Sequence, residues 1–449
     1  MFRINSIKFH NFRNILDSEV LLNEKGFETA LGGIMVGFYG TNGSSKSSVG
    51  YALSYFSKLT CGFTYAFFHQ FDNDFGVKDT LMSLEYDFDY EDDRGQFTGL
   101  IIGFEFKKGE DGTAYISKEN IRFKTKKGRQ PAYTVLRSDN FLTCLISPDD
   151  IEKLRVLFSS DVSLIYSLNS FSIQNKCSFF LNAKGLTLAS KNTGESKTFS
   201  EQFLYLNSFL KTYISNTSFI MPDSYGLSIT NNLFTIIAGD TLDTGFIAKE
   251  EPSGYFTCDE ERLQNIEKVI ETSNNFMSKL IKGFKVIIDK KEVDVEETGK
   301  KKYKIRLFAS NKDGVFSFEN ESEGIKKLFL IASAIAKVMN QSDYILFIDE
   351  FDEGVFEVLF GDIIASINDQ CMGQFLFTSH NLRPLEMMSY THFVFSTTNP
   401  KKRFVTLKGI KPKNNLRDVY IKKIMYGDDN ELSTLIDEQD ILEGLIYGD

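Results

Sequence analysis

The chain has 449 residues, of which 42% are hydrophobic and 25% charged, and a formal net charge of −10. That length allows two or three domains around a large buried core, and the acidic balance excludes a protein that coats nucleic acid by bulk charge. No run reaches the roughly eighteen uninterrupted apolar residues of a membrane span, and the N-terminus lacks the apolar block of a signal peptide. Cys61, Cys144, Cys177, Cys258 and Cys371 form no CxxC pair. A cytoplasmic protein without a zinc ribbon or disulfide framework is therefore expected.

Residues 2–9 and 16–22 alternate apolar and polar side chains and predict two strands. The apolar run IMVGFY at 34–39 predicts a buried strand, followed by the turn GTNGSSKSS and a helix from Lys46 to about Lys58. The segments LMSLEYDF, LIIGFEF and YISKENIRF, separated by DDRG and KKGEDG, predict an antiparallel meander. From Pro148 to Phe284 the pattern turns largely helical. There Leu263, Ile266, Ile270, Met277 and Ile281 mark one helical face, either packed on the rest of the chain or open to a partner. Strands FKVIID, KKYKIRLFA and GVFSF follow, then a helix from Glu323 to about Met339, strand YILFID, a helix and strand QFLFTS. The predicted fold is α/β: a parallel sheet core with an antiparallel meander, interrupted by a largely helical insert. The expected boundaries are 1–147, 148–285 and 286–449. Short basic clusters at Lys124, Lys126, Lys127 and Arg129, at Lys300–Lys302, and at Lys401, Lys402 and Arg403 read as solvated hairpin turns, with a DNA groove as the alternative.

Four pieces carry candidate chemistry. Gly40, Gly43, Lys46 and Ser47 have the spacing of a phosphate-binding loop, in which backbone N–H groups converge on phosphate, a lysine adds charge and a hydroxyl holds magnesium. Thr41, Asn42, Ser44, Ser45 and Ser48 complete that loop. Ser45 stands where the pattern has glycine, and a serine is tolerated there if its φ is negative. In YILFIDEFD, Asp349 can hold a magnesium-bound water and Glu350 can polarise an attacking water. In QFLFTSHN, βαβ spacing puts His380 at the tip of a neighbouring parallel strand. In FENESEGIKKL, Ser322 and Gly324 enter a helix whose free N–H groups can receive an anion. Taken singly, each has a plainer reading: a strand–turn–helix, an acidic turn, a surface histidine, an N-cap.

In this order the four resemble the ABC-type ATPase heads of the RecF, SMC and OLD group. More narrowly they resemble the prokaryotic "AAA domain, type fifteen" ATPases, such as the AriA subunit of the PARIS antiphage system. The carrying motifs are SIKFHNFRNI, GTNGSSKSS, ESEGIKKL, LFIDEFD and FTSHN. DEFDEGVFE departs from the Asp-x-x-Leu-His-Pro continuation of many relatives. The resemblance implies ATP and Mg2+ as cofactors, bound in a homodimer or higher homo-oligomer. Lys46 would sit on the phosphates, Ser47 and Asp349 on the metal, with Glu350 as base and His380 at the γ-phosphate. The partner's copy would supply Ser322 and Gly324. It further implies the sensor or motor of a bacterial antiphage system, answering a DNA or phage-derived trigger with a separately encoded effector such as a Toprim or other nuclease. The segment after His380 is too short for a fused Toprim domain, and Asp418, Asp428, Asp429 and Glu431 read as solvated surface. A RecF-like DNA-repair ATPase and a nucleotide-gated scaffold with little hydrolysis are the alternatives.

Overall fold

Two strand patterns run through this sequence, and they need different surroundings. Alternating segments such as LMSLEYDF can leave one face in water, whereas uninterrupted runs such as IMVGFY need both faces covered. The computed structural model describes residues 2–61, 74–75, 81–108, 114–126, 132–136, 154–155, 162–174, 177–181, 200–222, 256–295, 301–312, 314–406 and 415–426.

The first half supplies strands β1 (Phe2–Phe12), β2 (Ile15–Leu21) and β3 (Ile34–Tyr39), helix α1 (Lys46–Cys61), and strands β4 (Leu81–Tyr90), β5 (Phe97–Lys108), β6 (Ala114–Thr125) and β7 (Ala132–Leu136). Next come helices α2 (Val162–Gln174) and α3 (Glu201–Ser215), strands β8 (Thr217–Ile220) and β9 (Phe256–Asp259), helix α4 (Glu260–Leu280), and strands β10 (Lys285–Val295), β11 (Lys301–Asn311) and β12 (Gly314–Ser317). The remainder is α5 (Glu323–Asn340), β13 (Ile345–Ile348), α6 (Glu357–Gln370), β14 (Gln374–Thr378), α7 (Arg383–Met387), β15 (Phe393–Ser396), β16 (Phe404–Val405) and α8 (Leu416–Tyr426).

The alternating segments form the sheet β2-β1-β4-β5-β6-β7, antiparallel throughout. The apolar runs form the sheet β16-β15-β3-β14-β13-β8, parallel except for β16. Its two faces close two cores. Val36, Phe38, Phe347 and Leu376 face α1, α3 and the antiparallel sheet, where Phe2, Phe56, Tyr86, Phe88, Phe209 and Tyr213 interlock largely edge to face. Met35, Leu346, Ile348, Phe375 and Phe377 face α4, α5 and α6. The buried phenylalanines of the described residues thus serve to fill the wide gaps between these layers.

The stretch 148–285 is interleaved with both halves. It contributes α2, α3 and α4, but β8 is the edge strand beside β13, and β9 pairs with β11. At four residues each, these strands carry too little periodicity to be separated from their helical neighbours by pattern. On α4, Leu263, Ile266, Ile270 and Met277 are buried in the same core as the inner face of α5. That stripe is therefore covered by the chain itself and is not left open for a partner. Lys124 is ion-paired with Asp87 and Asp89, Lys126 with Glu91, and Lys301 with Glu292. Lys127, Arg129, Lys300, Asp428, Asp429 and Glu431 lie outside the described residues.

One buried amide joins the two large sheets. Gln374, fully buried at the start of β14, accepts the Ile4 N–H at 2.9 Å and donates to the Ile4 carbonyl at 2.9 Å and the Leu22 carbonyl at 2.8 Å. Ile4 lies at the irregularity in the β1–β4 register, so the side chain satisfies backbone groups that no strand reaches. Replacing it with an apolar residue leaves them unpaired. Gln374→Leu is expected to destabilise the protein by about 2–4 kcal/mol, read as a lowered midpoint in chemical denaturation; an unchanged midpoint would show that the amide is dispensable.

Candidate nucleotide-binding site

The strands β3, β13 and β14 end side by side, and each hands its next residues to one cavity. Beyond Tyr39, Gly40 runs so close to β15 that a Cβ would lie 2.0 Å from Ser396 Oγ and 2.6 Å from Ser44 Oγ. Gly43 has φ +75. Ser44 donates to the Thr41 carbonyl at 2.6 Å and meets Ser396 Oγ at 2.5 Å. The chain then enters α1 at Lys46, leaving the free N–H groups of a helix start at the cavity. The cavity, of about 570 Å³, is lined by Arg13, Asn14, Asn42, Gly43, Ser44, Ser45, Lys46, Ser47, Ser48, Glu350, Thr378 and His380.

Ser45 departs from expectation. Its φ is +80, not negative, so the loop keeps the left-handed geometry that glycine would adopt freely. A side chain there costs roughly 1–2 kcal/mol. The hydroxyl donates to Asn14 Oδ1 at 2.5 Å, which offsets part of that cost. The Lys46 ammonium folds back onto the loop, donating to the carbonyls of Gly40 at 2.8 Å and Thr41 at 3.0 Å. Burial pulls its pKa down to about 8, against the pull of Asp349, Asp352 and Glu350.

The acidic pair follows β13. Asp349 is fully buried, and its Oδ1 accepts the Thr378 hydroxyl at 2.5 Å and the Ser47 hydroxyl at 3.1 Å. Its Oδ2 has no hydrogen-bond partner among the described residues. A buried carboxylate oxygen left without a donor is unfavourable alone and suits a hard divalent cation, which takes oxygen ligands. Ser47, Asp349 and the open Oδ2 therefore fit magnesium. Glu350 sits at φ +49, held by Thr378 Oγ1, which accepts its N–H at 2.8 Å, and by the Lys327 ammonium, which donates to its carbonyl. Burial raises the pKa of its carboxyl, and Asp349 and Glu353 add to the rise.

His380 reaches the same cavity after β14. The Asp352 carboxylate fastens its loop, accepting the N–H of His380 at 3.1 Å and of Asn381 at 2.9 Å. Burial, then the Lys46 charge, lowers the imidazole pKa. Ser322 and Gly324 do not line the cavity. Ser322 caps α5, its hydroxyl accepting from the Ile325 N–H at 3.4 Å. Gly324 abuts the loop after the acidic pair, where a Cβ would lie 1.9 Å from the Gly354 carbonyl oxygen. The sequence reading passed over Thr378, Asp352, Asn14, Arg13 and Lys327. All five stand inside the motifs SIKFHNFRNI, ESEGIKKL, LFIDEFD and FTSHN, whose other residues carry the recognisable pattern. Arg403, grouped with a solvated basic turn, is instead buried and bonded to the Asn14 carbonyl.

No protein-family model matches the sequence, and neither does any curated protein. Among solved structures, the chain is similar to the Pyrococcus furiosus Smc head domain with an extended coiled coil bound to the C-terminal domain of ScpA, at 15% identity over 91% of this chain and 96% of that one, with a TM-score of 0.41. It is similar to the SMC head domain from Thermotoga maritima, at 11% identity over 91% and 100%, with a TM-score of 0.37. It is also similar to the recombination mediator protein RecF bound to ATP, at 14% identity over 84% and 93%, again with a TM-score of 0.37.

The depressed Lys46 pKa gives the cavity a pH signature. The free ammonium is lost as pH rises through about 8, whereas a bound polyphosphate holds it charged. Polyphosphate binding above that pH must take up a proton, so affinity is expected to fall by up to about tenfold per pH unit from pH 8 upward. Titration calorimetry in buffers of differing ionisation enthalpy checks both the slope and the proton; a flat profile would show that Lys46 does not meet the ligand.

Proposed function

We propose that the chain is a magnesium-dependent ATPase of the ABC type. The observation that carries this reading is the hydrogen bond from Ser47 to Asp349, made across 302 residues of sequence. It brings the hydroxyl of a phosphate loop to a buried carboxylate with one unpaired oxygen, the arrangement that a magnesium ion on a triphosphate needs. Lys46 would exchange the carbonyls of Gly40 and Thr41 for phosphate oxygens, and the N–H groups of Gly43, Ser45, Lys46 and Ser47 would hold the rest, those of Ser44 and Ser48 being bonded within the loop. Magnesium, when bound, would neutralise charge developing on the phosphates. Glu350, with its pKa raised, is the stronger base for an attacking water, and His380 can hydrogen-bond to the γ-phosphate.

Ser322 and Gly324 lie away from this cavity, so a second copy of the chain would present them to complete the site. The antiphage role, with a separately encoded effector, is the finer reading supported by the resemblance to the type-fifteen ATPases. Stimulation of hydrolysis by DNA ends, without any effector, would favour a RecF-like repair role in its place.

Three variants test the ATPase. Lys46→Ala should weaken ATP binding by at least about tenfold, the loss of a charge-assisted contact. Glu350→Gln should keep binding but slow phosphate release by about 100-fold or more, since an amide cannot accept the water's proton. Normal turnover in Glu350→Gln would mean that the base lies elsewhere. For action between copies, Ser322→Glu is the useful change, because Ser322 is exposed whereas any side chain at Gly324 would strike Gly354. Ser322→Glu should bind ATP without hydrolysing it and regain activity when mixed with Lys46→Ala; full activity on its own would indicate a site complete within one chain.

A further inference from the structure

Asn14 is the second residue of the two-residue turn between β1 and β2. Its side chain does two things at once on the phosphate loop: Nδ2 donates to the Gly43 carbonyl at 2.5 Å, and Oδ1 accepts the Ser45 hydroxyl at 2.5 Å. Gly43 and Ser45 are the two loop residues with left-handed backbone, at φ +75 and +80. One amide thus grips both points where the loop reverses. Asn14 is itself fixed from behind. Its carbonyl accepts Arg403 Nε at 3.0 Å and Nη2 at 2.6 Å, while Arg403 Nη1 donates to the Thr397 carbonyl at 2.8 Å. Arg403, 7% exposed, thereby ties the turn between β1 and β2 to the turn between β15 and β16.

This accounts for the serine. A glycine at 45 visits positive and negative φ about equally, so the loop of a typical site is ordered in part by its ligand. A serine at φ +80 is strained unless something holds it, and only a residue with a hydroxyl gives Asn14 something to hold. We propose that Asn14 is a positioning residue of the phosphate loop, which fixes the left-handed backbone at Ser45 through the Ser45 hydroxyl and is itself anchored by Arg403. The loop is then ordered before the nucleotide arrives, and binding loses less to ordering. The proposal rests on the nucleotide-site reading above.

A double-mutant cycle on the full chain tests it, with magnesium and ATP as the probe and the dissociation constant as the readout. Asn14→Ala is expected to raise that constant about tenfold in the parent, but only about two- to threefold in the Ser45→Gly background, where the Gly43 contact alone remains to be lost. Arg403→Lys, away from the cavity, should raise it about threefold in the parent and leave it unchanged when Asn14 is already alanine. Asn14 is exposed, so its truncation spares the core, and melting temperatures identify any variant whose loss is one of folding. If Asn14 touched the nucleotide directly, its truncation would cost the same factor in both backgrounds; that result, or no effect in either, overturns the proposal. A parent that does not bind ATP would instead bring down the nucleotide reading, whereas a parent that binds and an additive cycle remove only the role given to Asn14.

Discussion

The candidate site depends on the register of three parallel strands. Ile34, Gln374 and Ile345 stand in one row across β3, β14 and β13, with Thr217 of β8 continuing it. Parallel strands that start level end level, since each residue advances the chain by the same rise. The phosphate loop, the acidic pair and the His380 loop therefore emerge at one edge of the sheet although 302 residues separate Ser47 from Asp349. Slipping β13 by one residue would turn Asp349 away from Ser47 and Thr378. The fully apolar β13 makes such a slip costly, because all four of its residues are buried.

Around that edge, the charges are placed against their own solvation. Asp349 keeps one oxygen unpaired in the interior, Lys46 is buried enough to lower its pKa, and Glu350 is raised by burial and by acidic neighbours. Among the residues that line the cavity, Arg13, Ser45 and Glu350 hold positive φ without being glycine. Ser45 is tethered by hydrogen bonds to Asn14, and Glu350 to Thr378 and Lys327. Such strain persists where surrounding structure over-determines it, and it gathers at functional sites. These features are separately unfavourable in the free chain, and a magnesium–polyphosphate would relieve several together.

Much of the framework was legible because period and spacing are local. The apolar runs at 34–39 and 345–348, the meander from Leu81, and the loop from Gly40 to Ser48 were each readable from neighbouring residues. What escaped were features that depend on distant contacts. Nothing near Ser45 announces a positive φ, because the bond that sustains it comes from Asn14, in a hairpin turn upstream. Nothing near Arg403 distinguishes it from its solvated neighbours Lys401 and Lys402, since its burial is set by Asn14 and Thr397. The strands at Thr217–Ile220 and Phe256–Asp259 were absorbed into a helical reading because four residues show no usable period.

The amide of Gln374 also sets a timetable for synthesis. Its bond to Ile4 spans 370 residues, and β3 gains both its neighbours, β14 and β15, only from the last quarter of the chain. At ribosomal speeds of about 5–20 residues per second, the first strands wait roughly 20–70 s for those partners. Throughout that interval IMVGFY is an apolar strand without its sheet neighbours, the form in which chains associate with one another. The antiparallel meander and α1 can cover one of its faces early, but its edges stay open until β14 emerges. A chain stalled before β14 emerges is thus expected to associate with its own copies more readily than the finished protein.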